Sequence, residues 1–210
     1  MSTVFVNMTM SIDGCVVPAS RLDDPERKQF FAQWGELQDY ILRQKFFRER
    51  LKFGEGGETG ADNDHLERTM GRTGVSIMGK RMFDMGELMW PEEAPFWTPV
   101  MVVTKTVRAP WARPGGTTFY FCNESIERVL GRARELAGTK DIRIAGGPDL
   151  VQQYLHAGLV DELELAIAPV ILGSGVRLFD RIDASRLKLE QLPAIASPHV
   201  THVRYAVRRR

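Results

Sequence analysis

Cysteine is scarce: Cys15 and Cys122 are the only two in 210 residues. Two isolated thiols exclude a disulfide framework and a cysteine-built metal centre, and both are expected to be free. Four histidines are present, and the pair His199 and His202 sits in a strand-like stretch where residues three apart face opposite sides. No metal is expected. Long apolar runs are missing too. None approaches the roughly 18 residues of a membrane-spanning helix, and Met1-Ser2-Thr3-Val4 lacks the charged and apolar regions of a secretory signal. An excess of one charge is also lacking, because 28 basic residues face 27 acidic ones for a net charge of +1. That balance argues against non-specific nucleic-acid binding and against a polybasic membrane arm. The reading is a cytoplasmic protein with no nucleic-acid or membrane partner.

What the chain does have is an ordinary globular composition, 43% apolar and 26% charged. Its length favours one domain over 1–210, large enough to bury a core without staples. Val4 to Ser11 reads as a buried strand closed by the turn Ile12-Asp13-Gly14, and Cys15-Val16-Val17 resumes briefly. Asp23-Asp24-Pro25-Glu26 reads as a helix opening. Apolar residues then recur at helical spacing from Phe30 through Trp34, Leu37 and Ile41 to Leu51. Two roles fit that stripe: a core-facing or dimer-facing helix, or a cover over a ligand pocket. The glycine-rich 53–60 follows as a loop, and Ala61 to Met70 as a short helix with capping residues at its start.

Val75 to Met78 is a second strand that hands over at Gly79 to a basic helical turn, Lys80-Arg81. Glycine allows close backbone approach there, and free amides with two cations suit a phosphate. Further strands are expected at Met101–Lys105, Thr117–Cys122, Asp141–Ala145 and Glu162–Ala168, with two more near the C-terminus. Helices fall between them at Ser125–Ala137 and Leu150–Ala157. This alternation predicts an α/β fold: a mostly parallel central sheet, helices on both faces and an antiparallel C-terminal edge. Ligands on such sheets bind outside the carboxyl ends of the strands, which points to Asp13-Gly14, Gly79-Lys80-Arg81, Thr104-Lys105 and Gly146-Gly147.

Four segments carry a family resemblance: Met10–Gly14, Ile77–Asp84, Ile144–Leu150, and Gly158–Leu163 continuing into Pro169–Phe179. Together they resemble the dihydrofolate reductase-like superfamily, in its branch containing the reductase domain of bacterial riboflavin biosynthesis (the RibD C-terminal domain). A helical and glycine-rich insertion at about 26–60 stands outside the match. The resemblance implies an NADPH cofactor and a homodimer. It implies that Gly79, Lys80 and Arg81 hold the pyrophosphate and the 2′-phosphate, and that Val103, Thr104 and Lys105 flank the adenine ribose. It also implies that Gly146 and Gly147 approach the pyrophosphate, with side chains excluded at both, while Pro148, Asp149 and Leu150 lead the receiving helix. For catalysis it offers Asp13, near nicotinamide and substrate, and either Asp62 or Asp64, which flank the gapless position Asn63. The rival roles are a plain turn for Asp13 and helix capping for the other two. Trp34 and Trp90 are candidates for the pocket border.

The implied activity is an NADPH-dependent hydride transfer to a C=N or C=O carbon of a small pterin- or aminopyrimidine-like heterocycle. The reductase acting on 5-amino-6-(5-phosphoribosylamino)uracil is the nearest model. Two alternatives stand beside it: a true dihydrofolate reductase, and a non-catalytic NADPH-binding regulatory protein.

Overall fold

The computed structural model of the chain describes residues 2–19 and 27–210. Val4, Phe5 and Val6 are fully buried because their strand, β1 (Val4–Ser11), runs through the middle of the sheet. After it come β2 (Cys15–Pro18), the helices α1 (Arg27–Arg43), α2 (Lys45–Leu51) and α3 (Ala61–Arg72), then β3 (Thr73–Gly79), α4 (Lys80–Glu87) and β4 (Pro99–Val103). The chain continues through β5 (Trp111–Ala112), β6 (Thr118–Cys122), α5 (Ile126–Ala137), β7 (Asp141–Gly146), α6 (Pro148–His156) and β8 (Glu162–Ala168). It ends with β9 (Gly175–Arg177), β10 (Leu187–Ala196) and β11 (Thr201–Arg209).

Nine strands form one sheet in the order β10-β11-β8-β1-β7-β3-β4-β6-β5. The six from β8 to β6 are mutually parallel. β11 and β10 add the expected antiparallel edge, and the short β5 closes the other side antiparallel. Helices lie on both faces, as the alternation predicted. On one face Val129, Leu130 and Ala133 of α5 and Val151, Tyr154 and Leu155 of α6 pack on Val4, Val6, Ile142 and Ile144. On the other, Phe83 of α4 packs on Met78, Val102, Phe119 and Phe121, and Leu37 and Tyr40 of α1 pack on Ala166 and Ala168. Local signals fix the helix ends. Ser125 Oγ accepts the Arg128 N–H to cap α5, Gly138 ends that helix at φ 60°, and Pro148 opens α6.

The structure departs from the sequence expectations in several places. The helical stripe from Phe30 to Leu51 is two helices, not one. Gln44 breaks it by adopting an extended conformation and bridging Glu58, while its buried amide donates to the Tyr40 carbonyl. The opening at Asp23–Glu26 lies outside the described residues. α3 starts on Gly60 with no side-chain cap, so neither Asp62 nor Asp64 caps it. β4 ends at Val103, two residues early, because the Thr104 hydroxyl turns back to accept the Thr106 N–H. The pairing of β2 with β9 in a second, two-stranded sheet was not foreseen.

Candidate active site

A cavity of about 950 Å³ opens at the carboxyl ends of the central parallel strands. Two helices begin at its rim, α4 on Gly79 and α6 on Gly147, and neither has a side-chain cap. The first-turn amides of α4 therefore lack the partner a serine or aspartate would supply and are suited to an anion, whereas in α6 Pro148 has no N–H and the Leu150 N–H bonds the Gly147 carbonyl, which leaves the Asp149 amide. Gly79, Lys80, Arg81, Val103, Gly147, Pro148, Asp149 and Leu150 all line the cavity, so most of the expected cofactor residues come together. Thr104 is buried beside the wall and Lys105 is exposed; neither lines it.

The two glycines serve different ends, which corrects the expectation that side chains would clash at both. Gly146 has φ +119°, and a Cβ there would lie 3.2 Å from Met8 Cε and 3.3 Å from Met82 Sδ. Gly147 has an ordinary extended conformation, and a Cβ there would meet nothing within 4 Å. The protein itself does not require glycine at 147. The space its missing side chain leaves opens into the cavity. Lys80 pairs with Asp84 four residues on, whereas the Arg81 side chain is 90% exposed and reaches Asp149 only at 4.0 Å. Asp149 is held mainly by Arg181. This donor set fits a dinucleotide phosphate: uncapped amides, two cations and an open glycine.

The three expected acids stand elsewhere. The Asp13 carboxylate accepts the Ser11 hydroxyl at 2.7 Å and the Leu172 and Gly173 amides at 3.1 and 2.9 Å. The Ser11 and Leu172 bonds hold its carboxyl below the usual range, so it is ionised and clips the loop after β8 to the turn after β1. Asp62 is buried, and its Oδ1 lies 2.6 Å from Nε2 of His202 on β11. Asn63 accepts the Phe46 N–H and donates to Glu67, and Asp64 is exposed. None of these lines the cavity. Leu66 and Met70, one and two turns further along α3, reach it instead.

The Asp62–His202 pair has a consequence for pH. His202 stacks on His65 at 3.9 Å, and burial pushes His65 down to about 3 and lowers His202 as well. Both rings are neutral in the fold near pH 7, whereas an unfolded histidine takes a proton near 6.5. The unfolded state thus binds more protons between the two values, so the stability is complete above about pH 6.5 and is lost as pH falls toward 3. The loss is up to about 1.4 kcal/mol per pH unit for each proton taken up. Melting temperature should therefore decline between about pH 7 and pH 5, and His65→Leu should flatten that slope. Equal slopes in both proteins would contradict the assignment.

The deeper half of the cavity is aromatic and sulfur-rich, with a small polar floor. Phe30, Trp34 and Ile41 of α1 line it, together with Trp90, Phe96, Met82 and Met85. Of the two roles left open for the 30–51 segment, α1 thus plays both: Leu37 is in the core, and its neighbours cover the cavity. The border roles expected of Trp34 and Trp90 agree with this lining. The floor carries Asn7, Thr9, Gln38, Tyr40 and Arg143. Thr9 Oγ1 donates to Gln38 at 3.2 Å and accepts from the Tyr40 hydroxyl at 3.4 Å. Burial pushes Tyr40 up to about 12, so its hydroxyl keeps its proton. Sequence reasoning missed this floor. One signal was present, an arginine flanked by isoleucines inside a core strand, Asp141-Ile142-Arg143-Ile144-Ala145.

A mostly parallel α/β sheet with helices on both faces and an antiparallel edge defines a fold of the dihydrofolate reductase type. The fold matches that of dihydrofolate reductase from Enterococcus faecalis, solved with NADP(H) and RAB-propyl, with TM-score 0.53 and 13% identity over 99% of this chain and 96% of that one. A putative riboflavin biosynthesis protein from Shewanella sp. PV-4 matches at TM-score 0.69 and 18% identity over 99% of each chain. The model of the RibD C-terminal domain family matches residues 2–201, and the chain belongs to that family. In sequence it is similar to the uncharacterized protein YyaP of Bacillus subtilis (strain 168), 31% identical over 109 residues. That alignment takes in 49% of this chain and 57% of YyaP. No helix among the described residues is long and apolar enough to cross a membrane.

Proposed function

We propose that the protein is an NADPH-dependent reductase that delivers hydride to a C=N or C=O carbon of a small heterocycle of the aminopyrimidine or pterin class. The observation that carries this reading is the pair of uncapped helix starts at Gly79 and Gly147. They share one cavity with Lys80, Arg81 and a chamber of flat apolar walls. Family membership supports it, and the fold is shared with a diaminohydroxyphosphoribosylaminopyrimidine deaminase/5-amino-6-(5-phosphoribosylamino)uracil reductase from Thermotoga maritima, of which this chain covers 56%. Gly79, Gly147 and the amides of Lys80, Arg81 and Asp149 would hold the pyrophosphate, with Lys80 and Arg81 supplying charge for the 2′-phosphate. When bound, the dinucleotide supplies the hydride; the chain binds, orients and excludes water.

The chain's own residues then have defined tasks. Trp34, Phe30 and Phe96 offer flat faces to a ring. Tyr40 holds a proton it can share in a hydrogen bond, while Asn7 and Gln38 are amides able to donate and accept. Among the described cavity residues the sole carboxylate is Asp149, at the rim and tied to Arg181. A proton for the product thus comes through Tyr40 or water rather than from Asp13, Asp62 or Asp64.

The direct test is NADPH oxidation in the presence of 5-amino-6-(5-phosphoribosylamino)uracil and of dihydrofolate. Turnover of the first, with Arg81→Ala raising the KM for NADPH and leaving kcat largely intact, is the expected result. Preferential turnover of dihydrofolate would make the protein a dihydrofolate reductase. Tight NADPH binding with no oxidation across both would favour a regulatory protein.

A further inference from the structure

We infer that the substrate chamber is built for an anion: Arg143 forms a subsite for a negatively charged oxygen carried on a small planar ring. The inference deepens the reductase reading and rests on it for the identification of the ring's owner as substrate.

Arg143 sits in the middle of β7, at the centre of the parallel sheet, and only 6% of it is exposed. Its in-register neighbours are Phe5 on β1 and Ser76 on β3, so neither adjoining strand places an acid opposite it. Its hydrogen bonds go to Ser76 Oγ, from Nε at 3.3 Å, and to Met70 Sδ, from Nη1 at 3.5 Å. Both acceptors are neutral. A guanidinium carries five N–H donors in a flat fork, so most of this one's capacity has no protein partner among the described residues.

The nearest candidate for a counter-charge is Glu164 on β8, whose influence reaches Arg143. Its Oε1 is engaged by Arg72 at 3.3 Å and Arg204 at 2.9 Å, while its Oε2 has no hydrogen-bond partner among the described residues and makes none with Arg143. Those two guanidiniums also share Glu162, and Arg72 meets Asp141 as well. The neighbouring cluster thus sets three carboxylates against two guanidiniums, but among the described residues none of those carboxylates comes within ion-pair distance of Arg143. Burial lowers Arg143 to about 10, which still leaves it charged near pH 7.

A buried charge without a partner is costly, and proteins ordinarily pair or remove it. Here the group lines the chamber, its guanidinium carbon 5.6 Å from the Phe96 ring centre, with Tyr40 and Gln38 on the same floor. A ligand bearing an anionic oxygen would complete both the charge and the empty donors in one contact. The fork geometry suits a carboxylate or a ring enolate, and the aromatic walls suit the ring that bears it. A protonated, cationic heterocycle, by contrast, would be repelled from this floor.

Isosteric probes of different charge test this, first on the wild-type protein and then on two variants. Benzoate, benzamide and benzamidine share a shape and differ in charge; barbiturate and uracil form a second pair, ring anion against neutral ring. Each is titrated against the fluorescence of Trp34 and Trp90, with NADP+ saturating so that Lys80 and Arg81 are covered. The expected order is benzoate over benzamide by about tenfold or more, and benzamidine last. A preference in the first pair marks a carboxylate, and one in the second a ring oxygen. Arg143→Met, which keeps the length and apolar bulk, should abolish the preference; Arg143→Lys should retain part of it. Equal binding within both pairs, best binding by benzamidine, no binding of either anion, or a preference that survives Arg143→Met would overturn the inference. NADPH affinity is measured separately. Loss of NADPH binding with the anion preference intact would sink the reductase reading and leave the anion subsite standing.

Discussion

Replacing Gly147 by alanine is expected to remove NADPH binding while leaving the fold as stable as before. The added methyl would meet no protein atom within 4 Å, and φ at this position is negative. Stability should therefore change by no more than about 0.5 kcal/mol, the range of an innocuous substitution. The methyl would stand in the space between the starts of α4 and α6, where the pyrophosphate is proposed to lie. A hundredfold loss of affinity, about 2.7 kcal/mol, is the expected scale. Gly146→Ala provides the contrast. At φ +119°, with Met8 and Met82 within 3.3 Å, alanine should cost stability first, by roughly 1–3 kcal/mol. Thermal melts and NADPH titrations of the two variants separate the cases. Normal NADPH binding by Gly147→Ala would show that the cofactor does not approach this glycine.

Asp62→Ala should do the reverse, lowering stability and sparing the cofactor site. Its carboxylate is buried against His202 at 2.6 Å, and on the other ring nitrogen of His202 there is no partner among the described residues. Removing the acid strands a buried polar ring, at a cost of about 3 kcal/mol. For a chain of this size that lowers the melting temperature by roughly 6–12 °C. NADPH affinity should not change, since Asp62 does not line the cavity. Asp62→Asn, which can still accept from Nε2, should lose less. An Asp62→Ala protein that melts normally but has lost reductase activity would restore the catalytic acid that the sequence resemblance offered.

These two residues also show why some features could be read from the chain and others could not. The parallel sheet followed from strand–helix alternation, and the ends of α5 and α6 followed from Ser125, Gly138 and Pro148, all signals within a few residues of their effect. The rim of the cavity was readable for the same reason, because Gly79-Lys80-Arg81 and Gly147-Pro148 each sit at one strand–helix junction. The surroundings of the acids were hidden because their partners are remote in sequence. Asp62 is settled by His202, and Asp13 by the amides of Leu172 and Gly173. Local patterns carry no trace of such pairings. Arg143 is the instructive intermediate, since its oddity shows in the strand, but only the topology reveals Phe5 and Ser76 beside it. The break at Gln44 was hidden in the same way, because the apolar spacing of the stripe continues across it into α2.

Titration of the purified protein with NADPH and with NADH, followed by nicotinamide fluorescence, bears most directly on the proposed cofactor. Micromolar binding of NADPH is expected, weakened by Lys80→Ala and by Arg81→Ala, with NADH at least about tenfold poorer because it lacks the 2′-phosphate those cations would meet. Binding of neither dinucleotide, or equal binding of both with no effect of the two substitutions, would contradict the assignment of the rim as an NADPH site.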